Sequence, residues 1–120
     1  MFQSHPTKPG NIPFSIKKVL VITAMKSKDV RGAHTHHKTS QVLLCLKGGC
    51  RVDLDNGKNK KSIHLNEPHQ GLLLYPYVWH TMRDFKPNTV LLSLADRKYD
   101  EKEYIRDYKE FLRYVRKRRS

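Results

Sequence analysis

Between Phe14 and Ala95 the chain is cut into short apolar runs by turn residues, and none of these runs holds a helical period. Val19-Leu20-Val21-Ile22 is the first. Gln41 to Leu46 follows and ends at Gly48-Gly49, and Cys50 to Leu54 then alternates apolar Val52 and Leu54 with polar Arg51 and Asp53. Asp55-Asn56-Gly57-Lys58 is a hairpin signal, because Asn-Gly tolerates the positive φ of a tight turn. Ile63 to Leu65, Gly71 to Tyr75, Val78 to Phe85 and Thr89 to Leu94 complete the series, punctuated by Pro68, Pro76 and Pro87. Strands this short, at this spacing, predict a small antiparallel sandwich or barrel over residues 14–96.

The period changes after Asp96. Tyr104, Ile105, Tyr108, Phe111, Leu112 and Val115 recur at three- and four-residue spacing, which predicts an amphipathic helix with Asp100 as its N-cap. Residues 97–120 are read as that helix and a basic tail of the same domain. Residues 1–13 carry three prolines and no periodicity, and read as an extended arm.

A chain of 120 residues with 38% apolar content builds one packed domain without a disulfide framework. No apolar run approaches the ~20 residues that cross a bilayer, and the start lacks a signal-peptide pattern. A cytoplasmic, non-membrane protein is expected, with Cys45 and Cys50 reduced. The 24 Lys and Arg against 11 Asp and Glu leave +13, which attracts anions. Much of that charge is crowded into Arg113, Arg116, Lys117, Arg118 and Arg119 and into Lys58, Lys60 and Lys61. Such runs read as solvated faces, so no nucleic-acid partner is expected, and the total suits a small phosphorylated ligand.

The histidines carry the functional signal. In a strand, residues i and i+2 share a face, so His34 and His36 project to one side and Thr35 and His37 to the other. A second signal lies downstream, where the strand from Gly71 meets Pro76 and His80 follows four residues later. Three imidazoles alone could hold zinc or iron, which keeps a metal site open.

The pattern His34, His36, Gln41, Gly48 and then Gly71, Pro76, His80 resembles the two motifs of the cupin superfamily, with neutral Gln41 where metal-dependent cupins carry an acid. The resemblance implies an all-β jelly-roll barrel with the C-terminal helix added. Within the cupins, Pro13 to Val19, Arg31 to His36, Gln41 to Leu46, Val78 to Phe85 and Tyr99 to Tyr108 look like the WxcM-like nucleotide-sugar 3,4-ketoisomerases. That group interconverts dTDP-4-keto-6-deoxyglucose and a 3-keto-6-deoxyhexose without a metal or other cofactor, and forms dimers with exchanged strands. The resemblance implies a dTDP-linked keto-deoxy sugar as substrate, a homodimer, and His34, His36 and His80 lining one pocket. Among the departures from the family, the strand at Val19 to Ile22 is often tyrosine-bearing there and here holds Leu20 and Val21.

The chemistry fits imidazole. Moving a carbonyl between adjacent carbons requires removing the C3 proton, passing through an enediol, and returning a proton at C4. An imidazole both accepts and donates near neutral pH. One of His34 and His36 is expected to abstract the proton and the other to shuttle between oxygens, with His80 bonding the enediolate. Substrate contacts are also expected from Gln41, from Arg31 and Arg83 at the diphosphate, and from Trp79 and Tyr75 as aromatic platforms. For Arg31 an ion pair at a strand end is the alternative, and for the aromatics a place in the core. The competing functions are a metal-dependent cupin using His34, His36 and His80, a nucleotide-sugar 3,5-epimerase, and a binding module built on the basic tail.

Overall fold

A computed structural model describes residues 5–7 and 12–119. The rest of the arm and Ser120 lie outside the described residues. The strands are β1 (His5–Thr7), β2 (Lys18–Ile22), β3 (Arg31–His36), β4 (Gln41–Lys47), β5 (Cys50–Asp55), β6 (Lys60–Leu65), β7 (Gly71–Leu74), β8 (Trp79–Arg83), β9 (Val90–Ala95) and β10 (Tyr104–Ile105). One helix, α1 (Tyr108–Arg119), follows. The strands form two five-stranded antiparallel sheets, ordered β1-β7-β4-β9-β2 and β10-β3-β8-β5-β6. This is the jelly roll implied by the cupin pattern. Gly48 and Gly57 hold φ of +80° and +90° at the expected turns after β4 and β5.

Three apolar layers account for the strand sequences. Leu43, Cys45, Cys50, Val52, Leu54, Leu72 and Leu91 fill the space between the sheets. Val42, Leu44, Leu73 and Leu94 face the other side of the first sheet, where Ile12 and Phe14 of the incoming chain cover them. β4 and β7 are therefore buried on both faces, which is why they read as unbroken apolar runs rather than alternating ones. The third layer is Ile105, Phe111 and Val115, against which Tyr77, Trp79 and Leu112 pack. It fixes α1 on the outside of the second sheet.

The helix begins later than its stripe suggests. Tyr104 and Ile105 are not helical. They form β10, paired with His36 and Thr35 of β3. Asp100 caps the short 3-10 turn Glu101–Glu103 rather than α1. The cap of α1 is Asp107, whose Oδ1 accepts from the Lys109 backbone N–H at 2.8 Å. Two residues of strand preceding a helix with aromatics at the right interval mimic one continuous helical stripe. The open edge of β3, with its own N–H and C=O groups to satisfy, pulled Tyr104 and Ile105 into the sheet.

Candidate active site

The cavity between the sheets is lined by Lys18, Leu20 and Ile22 of β2, His34 of β3, Gln41 and Leu43 of β4, Leu74 of β7, His80 and Met82 of β8, Ser93 of β9 and Tyr104 of β10. A bulge between Gly32 and His34 aims the histidine strand: Gly32 and Ala33 both take positive φ, and His34 comes to lie opposite His80. A side chain at Gly32 would meet the His80 carbonyl at 3.0 Å, so the close approach of β3 and β8 depends on glycine. The His34 ring lies 5.1 Å from that of His36 and 4.7 Å from that of His80. The two-residue spacing thus places both histidines of β3 on one face, as expected. Tyr104 closes the group, 5.1 Å from His34 and 4.5 Å from His36 between ring centres.

Hydrogen bonds set the tautomers. The His34 Nδ1–H donates to the Gly32 carbonyl at 3.0 Å, which leaves Nε2 as a lone pair available for a proton. His80 is held at both nitrogens. Its Nδ1–H donates to the Val78 carbonyl at 3.3 Å, and its Nε2 accepts from the Gln41 amide at 3.2 Å. Ser93 Oγ in turn donates to Gln41 Oε1 at 2.9 Å. His80 is therefore a locked neutral imidazole, and its expected bond to an enediolate has no free N–H to make it. The same engagement removes it as a metal ligand, and Gln41 brings an amide where a carboxylate would be needed. Among the described residues no group of His, Cys, Asp and Glu is arranged to hold a metal ion.

Burial pushes all three imidazoles toward the neutral form. His34 lies below its ordinary value, His36 is driven down to about 3 by burial and the neighbouring His34, and His80, fully enclosed, lies well below. A base must be unprotonated to act, so a lowered value widens its working range on the acid side. The acid limb of the rate is expected below pH 6.5, where a free imidazole would titrate. A kcat/KM profile with its acid limb at or above pH 6.5 would contradict this placement of the base.

Not every expected contact comes together. Trp79 and Arg83 flank His80 and Met82, so the alternation of β8 turns them to the opposite face. There Trp79 packs on Tyr108 and Phe111 of α1, and Arg83 Nε donates to Asp53 at 2.5 Å. Tyr75 is half-buried between two apolar layers. Arg31 stands exposed at the first position of β3. A narrow pocket shares Lys18, Gln41 and Tyr104 with the cavity and Arg97, Lys98 and Tyr99 with an open cleft of about 640 Å³, the mouth, which is lined instead by Lys17, Lys38, Arg97 and Lys98, with Asp96, Tyr99, Asp100 and Glu103. Lys18 and Tyr104 join the site without having been expected there. The two-residue alternation from Lys18 to Ile22 could have flagged Lys18, whereas Tyr104 was hidden in an apparent helix.

A small antiparallel jelly roll presenting histidines from adjacent strands to its interior is a cupin. Residues 4–116 match the family model FdtA: WxcM-like, C-terminal. The chain is 49% identical over 107 residues to a TDP-4-oxo-6-deoxy-alpha-D-glucose-3,4-oxoisomerase of Aneurinibacillus thermoaerophilus, covering 89% of this chain and 77% of that one. The 3,4-ketoisomerase QdtA from Thermoanaerobacterium thermosaccharolyticum, a histidine-to-asparagine mutant in complex with TDP-4-keto-6-deoxyglucose, superposes with a TM-score of 0.94. The two are 35% identical, over 98% of this chain and 97% of that one. A 3,4-ketoisomerase from Helicobacter canadensis gives a TM-score of 0.92 at 37% identity, over 97% and 99% of the two chains. This chain belongs to the WxcM-like family of sugar 3,4-ketoisomerases. It is an isomerase, and the metal-cupin and 3,5-epimerase alternatives are set aside.

Proposed function

We propose that this chain converts TDP-4-keto-6-deoxyglucose to a TDP-3-keto-6-deoxyhexose, with His34 as the base that removes the C3 proton. The observation that carries the assignment is the His34 tautomer: Nδ1 is tied to the Gly32 carbonyl, and Nε2 is left basic inside the cavity. His36 stands beside it as a neutral ring that shapes the pocket. The Ser93–Gln41–His80 chain fixes the wall behind the sugar. The diphosphate is assigned to the mouth, where Lys17, Lys38, Arg97 and Lys98 supply cations that Arg31 and Arg83 do not. Two buried, unbridged cysteines favour a reducing compartment, so we place the protein in the cytoplasm.

The active unit is assigned as a homodimer. Among the described residues β2 is the outer strand of its sheet, and Val19, Leu20 and Val21 are 60%, 45% and 57% exposed. An apolar edge with free backbone groups is a pairing template, and Leu20 also lines the cavity, so a second copy on this edge would complete its wall. Val21→Lys is expected to shift the protein to monomer in sedimentation equilibrium. A variant that stays dimeric would place the interface elsewhere. The activity itself is tested by incubating the purified protein with TDP-4-keto-6-deoxyglucose and reading the carbonyl carbon by carbon NMR. A signal that moves from C4 to C3 supports the proposal, and a spectrum unchanged at long times sinks it.

A further inference from the structure

Isomerisation moves two protons, one from carbon to carbon and one from oxygen to oxygen. His34 accounts for the first. The second needs a group that gives a proton to O4 and takes one from O3. His36 is a poor candidate for it, because a ring buried beside another imidazole resists the charged form the exchange would require. His80 has no free nitrogen.

We propose that Tyr104 carries the oxygen-to-oxygen proton, with Lys18 as its positioning residue; this rests on the ketoisomerase reading. The phenol stands across β3 from His36, its ring within 5.1 Å of the His34 ring and 4.5 Å of the His36 ring. Its oxygen accepts from Lys18 Nζ at 3.1 Å, which leaves the phenolic O–H free to be donated to a ligand. Tyr104 and Lys18 line both the histidine cavity and the narrow pocket that joins it to the mouth, where a sugar attached to a diphosphate must lie. No carboxylate forms an ion pair with Lys18 among the described residues, so its charge is available to a developing phenolate. The neighbouring cation, Arg106, lies 4.3 Å over the Tyr104 ring but is tied to Glu101.

The proton accounting closes without an outside reagent. His34 Nε2 takes the C3 proton, the C3–H electron pair becomes the C3–C4 double bond, and the C4 carbonyl pair moves onto O4. O4 takes the phenolic proton of Tyr104, whose phenolate is held by the Lys18 ammonium. The phenolate then takes the O3–H proton as the C3 carbonyl forms, and C4 collects a proton from His34 Nε2, which exchanges with solvent through the cavity while the enediol stands. Both side chains end as they began.

The test compares wild type, Tyr104→Phe, Lys18→Met and Lys18→Arg on TDP-4-keto-6-deoxyglucose in deuterium oxide by proton NMR. It follows loss of the C3 proton signal and appearance of the 3-keto product separately. Tyr104→Phe keeps the ring contacts and loses only the hydroxyl. Its product formation is expected to fall about 100-fold with KM little changed. Exchange at C3 should fall much less, so the ratio of exchange to isomerisation rises. Lys18→Met should reproduce the rise in milder form, and Lys18→Arg should restore the wild-type ratio. Near-wild-type turnover in Tyr104→Phe, or an equal fall in exchange and product formation, would overturn the proposal. A wild-type chain that isomerises nothing would instead bring down the ketoisomerase reading and this one with it.

Discussion

His34→Asn is expected to lower turnover by about 10³-fold while substrate affinity changes little, because the base acts only on the way to the transition state. Asn can keep a hydrogen bond to the Gly32 carbonyl through its amide, yet offers no basic nitrogen to the cavity. The fold should survive, since His34 is half-buried and the strand is held by its pairing with β8. The measurement is a paired determination of kcat and KM alongside a thermal melt. The same substitution at His36 is expected to cost less in turnover, as that ring is assigned to the pocket wall. An order in which His36→Asn is the more damaging would exchange the roles of the two histidines.

The second large effect is on stability. His34, His36 and His80 are held neutral by burial, with folded values below the ~6.5 of an exposed imidazole. Below pH 6.5 the unfolded chain binds protons that the folded chain refuses. Stability is therefore complete above pH 6.5 and is lost as pH falls toward the folded values, about 3 for His36. Each histidine contributes a slope of about 1.4 kcal/mol per pH unit within its own window. Asp53, held low by its hydrogen bond from Arg83, adds its loss only nearer its own range, so the decline between pH 6 and 5 belongs chiefly to the histidines. Urea unfolding at pH 7, 6 and 5 should show a falling midpoint, and His36→Gln should flatten the fall. A midpoint constant from pH 7 to 5 would mean that the rings are charged or solvated in the folded protein.

The strands and the two-histidine face were legible because they rest on period two and on turn chemistry, both of which are local. Gly48, Gly57 and the His34–His36 spacing behave as those rules require. What was not legible was set by partners distant in sequence. Tyr104 sits beside His36 only because an open strand edge recruited it, and a spacing shared with Tyr108 and Phe111 disguised it as helix. Lys18 was one cation among many until β2 aligned it with Tyr104. Trp79 and Arg83 were drawn to the site by nearness to His80 in sequence, although the alternation that places His80 inward already turned both outward. The tautomers of His34 and His80 depend on carbonyls two residues away, brought into reach by the bulge of β3 and the corner before β8.

The central claim is that His34 takes the C3 proton of a keto-sugar nucleotide and delivers a solvent-exchanged one to C4. It is tested most directly by running TDP-4-keto-6-deoxyglucose with the wild-type protein and with His34→Asn in deuterium oxide, and locating deuterium in the product. The account predicts a 3-keto sugar carrying deuterium at C4 with wild type, and neither product nor label with the variant. Deuterium at C3 and C5 with the carbonyl still at C4, or an active His34→Asn, would contradict it.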